Sequence, residues 1–439
     1  MTHEILGFVL LAVFLFAIFI GFPVSFTLIF LSLAFGYFAL GDLVFYLTVL
    51  QTIGLMKEEV LAAVPLFIFM GYLLEEGGLM ERLFHAFRLL MGGIPGSLYV
   101  AVLATATIFG IASGTVGATV AVVGIMSVPT MIRAGYDPKL SAGAITAGGS
   151  LGILIPPSVM LVVMGPVMGV SVAELYAACF GPGFLLAAIF IGWTLLRCLI
   201  NPSLGPPLPP SERAGSLWKL TVELTLGLAP HVFLTLITLG PILAGMATPT
   251  EAAAVGVVGT ALMAACYGQL RWATIREAMI QTATQTSMVL FLAVASNIFG
   301  AVFTRLGSAT MMTDALVGLP LPPFGIMLVV MALIFVMGWP FEWPAIVLVF
   351  VPLMQPAIIA LKFDQLWFAT LIAVNLQTAF LSPPVAMAAY YLKGVAPDWK
   401  LTDIYKGMGE FMVLQVIGLG LCMVFPEIIL WFPRWLFGP

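Results

Sequence analysis

Four short segments hold most of the polar chemistry of an otherwise apolar chain. The first reads Gly110-Ile-Ala-Ser113-Gly114-Thr115-Val-Gly117. Small residues let a backbone turn and pack closely at membrane depth, and the hydroxyls and released carbonyls offer oxygen ligands to a small cation. A plain helix-packing face would use the same residues. The second reads Thr146-Ala-Gly148-Gly149-Ser150-Leu-Gly-Ile-Leu-Ile-Pro156-Pro157-Ser158. Gly-Gly followed by Pro-Pro in one apolar run cannot keep an unbroken ladder of helical hydrogen bonds. A helix broken there ends its first segment in carbonyls, suited to a cation. Its next segment begins with N–H groups, suited to a carboxylate. The third, Gly338-Trp-Pro-Phe-Glu342-Trp-Pro344, adds an acid; the fourth, Asn375-Leu-Gln377-Thr378-Ala-Phe-Leu-Ser382-Pro-Pro384, repeats the break with amides and hydroxyls. Such groups are costly in lipid unless they face a partner or a cavity. Glu342 would pair with a cation, be protonated, or be satisfied by local hydrogen bonds. A simple proline kink explains one break; two at matching positions point to a binding site.

Other polar residues have plainer explanations. Thr248-Pro-Thr-Glu251 opens an apolar helix with a Thr cap, Pro at the first position and Glu at the third, which is a capping box and needs no ligand. The four cysteines form no CxxC, and the three histidines are far apart, so a zinc site or a disulfide framework is not indicated. The net charge of -4 leaves no basic footprint for nucleic acid. No acid, base and nucleophile stand at compatible positions for an intramembrane enzyme, and nothing indicates an ATPase partner or a cofactor.

These segments need helices to hold them at depth. With 62% hydrophobic and 8% charged residues and a mean hydropathy of +1.15, the chain has too little charge to cover a water-soluble surface. The expectation is an all-α polytopic membrane protein, since lipid-exposed backbone must bond to itself. Spans are expected at about 5–20, 23–40, 62–77, 138–168, 179–200, 224–245, 250–268, 286–304, 364–392 and 411–432. The longer apolar stretches 94–131 and 322–361 are interrupted near their middles and read as re-entrant hairpins. The pieces 80–91 and 272–285 read as amphipathic helices in the interface, and MTHE lacks the basic start of a cleavable signal. The Pro-rich segment from Asn201 reads as a cytoplasmic linker, 201–217, between a first half, 1–200, and a second, 218–439. With both termini outside, 12 of the 16 Lys and Arg fall inside, which satisfies the positive-inside rule.

Shifting the second half back by 227 residues superposes Pro95 on Pro322, Pro129 on Pro356, Asp137 on Asp364 and Pro156-Pro157 on Pro383-Pro384 without a gap. The topology sends the first broken helix inside to outside and the second outside to inside. The repeats are then inverted, and the hairpin tips meet near the midplane.

The segments SGTVGATVA (113–121), GYDPKLSAGAITAGGSLGILIPPS (135–158), SVAELYAACFGPG (171–183), TPTEAAAVG (248–256) and NLQTAFLSPPVAMAAYYLKGVAP (375–397) resemble the large membrane subunit of TRAP (tripartite ATP-independent periplasmic) transporters, the DctM family. The last is similar to a branch associated with mannitol/chloroaromatic compounds or 2-oxo acids. The resemblance implies a sodium-coupled elevator of the ion-transporter superfamily in a bacterial inner membrane. It also implies a small four-helix (DctQ-like) membrane partner and a periplasmic solute-binding (DctP-like) protein. The family usually carries an aspartate after Phe-Leu at the second tip; here Phe341-Glu342-Trp343 keeps the carboxylate in a changed frame. Thr115 stands where Ser or Pro is common. On this reading one sodium ion lies between Ser113, Gly114, Thr115 and Gly148, Gly149, Ser150. A second lies between Gly338, Glu342 and Asn375, Gln377, Thr378. An organic anion would contact Ser113, Ser150, Ser158, Asn375 and Ser382. A stand-alone carboxylate carrier or antiporter of the same architecture is the alternative.

Overall fold

The computed structural model describes residues 3–76, 79–209, 217–383 and 386–438, with the side chains of 76, 79, 112, 113, 217 and 219 left undescribed. The first half runs α1 (His3–Ile20), α2 (Val24–Leu40), α3 (Leu43–Met56), α4 (Ala63–Glu76), α5 (Leu79–Met91), α6 (Ser97–Ser113), α7 (Val116–Arg133), α8 (Pro138–Ser150), α9 (Val159–Met168) and α10 (Val172–Ile200). The second runs α11 (Leu217–Leu243), α12 (Pro249–Cys266), α13 (Trp272–Arg305), α14 (Ser308–Val317), α15 (Pro323–Met337), α16 (Trp343–Ala345), α17 (Val351–Ala360), α18 (Gln365–Leu381), α19 (Met387–Val395), α20 (Leu401–Val424) and α21 (Glu427–Phe437). Eight helices among the described residues are long and apolar enough to cross a membrane. Phe19, Phe30 and Phe38 stand mostly exposed on the outside, an arrangement that only an apolar solvent tolerates.

The 227-residue offset holds in the element boundaries. α6, α7, α8, α9 and α10 return as α15, α16–α17, α18, α19 and α20, each start displaced by 226 to 229 residues. Both matched aspartates are helix N-caps: Asp137 accepts from the Leu140 N–H at 2.8 Å, and Asp364 from the Trp367 N–H at 2.9 Å. Pro129 and Pro356 lie at the same point inside the second arm of each interrupted stretch. The capping box at α12 is also present, with the Glu251 carboxylate accepting from the Thr248 N–H at 2.8 Å.

The two breaks sit at the centre. Every residue from Leu140 to Ser150 of α8 is buried, as is every residue from Trp367 to Thr378 of α18. Around them pack α6, α7, α10 and α20. In the second arm, a π-helical stretch, Ile346–Phe350, precedes Pro352. Proline lacks the N–H that an α-helical register would need there.

Two expectations differ from the structure, and two features add to them. Residues 272–285 are not a separate interfacial helix: they continue into the span as α13, 34 residues long, because no Gly or Pro interrupts Thr282–Ser287. The span expected at 411–432 ends at Val424, where Phe425-Pro426 turns the chain into amphipathic α21. Helices α3 and α14 were not foreseen; at 14 and 10 residues they are too short for a spanning pattern. The start of the linker packs on the protein: Leu208 is buried, its N–H bonds the Gly92 carbonyl at 3.0 Å, and Gly96 donates to the Gly205 carbonyl at 2.8 Å.

Candidate functional site

Each interrupted stretch ends its first arm in a tip, and each tip rests on the broken helix that follows it. In the first half, α6 closes at Gly114, which takes φ +65°, and Thr115 is the extended N-cap of α7. A Cβ placed on Gly110 would lie 2.5 Å from the Gly152 Cα, and one on Gly152 would lie 2.8 Å from the Gly110 Cα. Arm and break therefore touch backbone to backbone, which only paired glycines permit. Gly114 itself lies over the Pro157 carbonyl. Gly148 and Gly149 pack on Ala106 and Val120 of the two arms. In the second half Gly338 sits on Ala379 of α18, and Asn375 donates its amide to the Met331 carbonyl of α15 at 2.7 Å.

The hydroxyls near the breaks are buried and bonded. Ser150 donates to the Ala147 carbonyl at 2.8 Å and accepts from the Gln415 amide of α20 at 3.1 Å. Ser158 donates to the Ile153 carbonyl, Thr378 to the Asn375 carbonyl at 2.6 Å, and Ser382 to the Thr378 carbonyl at 2.6 Å. Gln377 donates to the Ala373 carbonyl at 3.3 Å. The Ser113 side chain and Pro384 lie outside the described residues. Two amide oxygens, of Gln377 and Gln415, are buried with no hydrogen-bond partner among the described residues. An orphaned carbonyl oxygen next to a buried hydroxyl is an acceptor-rich arrangement that suits a cation. Gln415 was not foreseen; a lone Gln in the apolar α20 was its only signal.

Between the tips lies a cavity of about 520 Å³. Gly114 and Thr115 line it from the first tip, Glu342 and Trp343 from the second, and α4, α13 and α19 close it. Of the foreseen site residues, Gly114, Thr115 and Glu342 reach this space; Ser150, Ser158, Asn375, Gln377, Thr378 and Ser382 are buried behind it. Tyr72 and Glu75 of α4, Gln281 and Gln285 of α13, and Tyr391 of α19 also line it and were not foreseen. Tyr391 lies over Gly117, where a Cβ would come within 2.9 Å of its ring. A second cavity, of about 670 Å³, lies between α3, α13, α14 and α17, away from both tips. The first is the better candidate because both repeats contribute their tips to it. A cleft of this size, lined by both tips, can receive a small solute.

A family model described as "Tripartite ATP-independent periplasmic transporter, DctM component" matches residues 10–428. The sialic acid TRAP transporter large permease protein SiaM of Vibrio cholerae is 29% identical over 96% of this chain and 97% of its own length. The C4-dicarboxylate TRAP transporter large permease protein DctM of Pseudomonas aeruginosa is 29% identical over 87% of each. The crystal structure of the Alcanivorax borkumensis YdaH transporter aligns with a TM-score of 0.60 over 90% of each chain at 16% identity, a likeness of fold.

Proposed function

This chain belongs to the DctM component family of tripartite ATP-independent periplasmic transporters, a transporter subunit and not an enzyme, and from that premise we propose that it imports a small organic anion, a carboxylate, driven by sodium. The observation that carries this reading is the cavity framed by Gly114-Thr115 and Glu342-Trp343, the tips of two repeats. One sodium ion is assigned between Ser113–Thr115 and Gly148–Ser150, where the orphaned Gln415 oxygen adds an acceptor. A second is assigned between Gly338 and Asn375, Gln377 and Thr378, with Glu342 at its cavity end. The chemistry sodium supplies is charge: bound ions offset the anion and fix the tips on their breaks. The chain's own residues hold the tips, exclude lipid and enclose the solute. The tips and broken helices then move as a unit against α1–α4 and α11–α14, the inverted repeats presenting the solute to opposite sides in turn. A small four-helix membrane subunit and a periplasmic binding protein complete the system, in a bacterial inner membrane with both termini periplasmic.

Uptake into proteoliposomes holding the chain with both partners tests this. Uptake that stops when potassium replaces sodium is expected. Sodium-independent uptake would overturn the coupling, and uptake by the chain alone would favour the stand-alone carrier.

A further inference from the structure

The second cavity, of about 670 Å³, shares helix α13 with the tip cavity but lies nearer the Arg305 end. Its wall on α13 is a stripe at helical spacing: Asn297, Gly300, Ala301 and Thr304, with Arg305 beside the last. Gly300 and Ala301 form a shallow floor between two polar ends. A Cβ placed on Gly300 would meet no described atom within 4 Å, so the space in front of it is open. Glycine inside a helix lowers its stability, a cost that open room for a ligand would justify. The facing wall is apolar, with Leu348, Val349 and Leu353 of the second hairpin arm.

Arg305 is the one charged residue among the described residues that line this cavity, and it forms no ion pair or hydrogen bond with any of them. Asn297 is half-buried, and its amide likewise has no hydrogen-bond partner among the described residues. Polar groups at membrane depth are costly unless a partner or a cavity satisfies them. An arginine with no acid beside it offers a fork of donors that matches a carboxylate. A free carboxamide offers both a donor and an acceptor. The rise of the helix sets the two residues about 12 Å apart along α13. A lipid with its head on Arg305 would lay its acyl chain over Asn297 and leave that amide unsatisfied. A solute polar at both ends satisfies both.

We propose that this groove is a second binding site, separate from the tip cavity, for a small organic carboxylate that carries a hydroxyl or carbonyl oxygen at its far end. The carboxylate lies on Arg305 and the far oxygen on Asn297, with the carbon chain over Gly300. Because the facing wall belongs to the second arm, the bound acid ties that arm to α13.

The test is thermal stabilisation of the full chain in phosphatidylcholine nanodiscs in potassium buffer, where a sodium-dependent tip site stays empty. The probes are 5-hydroxyvalerate, valerate, which lacks the far oxygen, and 1,5-pentanediol, which lacks the charge. The expected order of the rise in Tm is 5-hydroxyvalerate, then valerate, with no response to the diol. Arg305→Gln is expected to weaken the response to 5-hydroxyvalerate about tenfold, as loss of one charge-assisted hydrogen bond does. Asn297→Leu is expected to bring it down to that of valerate. Gly300→Leu is expected to fill the groove and remove the response while the Tm without ligand is kept; should it fold poorly, the first two variants still decide. No response in wild type, or one that all three variants leave unchanged, overturns the proposal. A response confined to sodium buffer and indifferent to Arg305→Gln would belong to the tip cavity, supporting the import reading and defeating this one. An Arg305-dependent rise produced by phosphatidylglycerol in the nanodisc, with none from the acids, would assign the groove to lipid and defeat it as well.

Discussion

Gly135 and Lys362 stand 227 residues apart at the same turn of the two repeats, and both take the left-handed backbone conformation, with φ +72° and +58°. The turns share their hydrogen bonds: Gly135 donates to Ile132 and Lys362 to Ile359, and the next residue in each case reaches back five positions. Each turn ends a hairpin arm and hands the chain to an Asp N-cap. A side chain in this conformation costs about 1–2 kcal/mol, which glycine avoids.

Lys362→Gly is therefore expected to stabilise the protein by about 0.5–1 kcal/mol, after the greater freedom of glycine in the unfolded chain is deducted. Fluorescence-monitored thermal unfolding in detergent reads it as a higher Tm. A lower Tm would mean that the lysine side chain makes a contact that outweighs its backbone strain.

The Gly110–Gly152 contact leaves no room for a methyl group on either side. Gly110→Ala and Gly152→Ala are each expected to cost about 1–3 kcal/mol, as overpacked cores do. Sodium-dependent uptake should fall more steeply than stability, because the first tip is lifted off its break. Uptake at the wild-type rate in both variants would show that the tip need not rest there.

Removing the Gln415 amide leaves Ser150 without its hydrogen bond to α20. Gln415→Leu is expected to cost about 1 kcal/mol in stability. If the orphaned Gln415 oxygen holds a coupling ion, the variant also requires more sodium for half-maximal uptake. An unchanged sodium curve beside a lowered Tm would confine Gln415 to a structural role.

Of the four cysteines, Cys266 is exposed and Cys179, Cys198 and Cys422 are buried. A water-soluble maleimide should modify the folded protein once, at the end of α12, and Cys266→Ser should abolish labelling. Mass spectrometry that finds Cys179 or Cys422 modified in the native protein would contradict the packing of α10 against α18 and α20.

The breaks were legible in the sequence because their cause is local. Pro156-Pro157 ends a helix through its own backbone, wherever it lies, whereas Gly148-Gly149 stay helical inside α8 and serve its close packing. The repeat was legible for the same reason, since prolines and capping aspartates are fixed by the turns they make. The cavity was not. Tyr72, Glu75, Gln285 and Tyr391 come from three helices that no spacing connects, and an isolated polar residue in an apolar run does not reveal which way it faces. The hydroxyls misled in a different way. Ser150, Ser158 and Ser382 have the right type for a ligand, but each donates its proton to a carbonyl that the break releases. The length of α13 was hidden by Gln281–Ser287, whose polarity reads as an interface although its helix propensity is sufficient to continue the rod.

At 34 residues, α13 is about 51 Å long, against about 30 Å of hydrocarbon. Its apolar stretch lies toward the Arg305 end, so the first four turns, with Glu277 and Gln281, stand in or beyond the headgroups. Two of the cavity's acids are thereby placed in different media. Glu277 is within reach of dissolved ions, whose screening length is about 8 Å at physiological ionic strength, whereas Glu342 sits at a tip among helices. Raising the salt with an inert electrolyte should therefore alter how quickly a solute crosses the mouth far more than how tightly it is held inside.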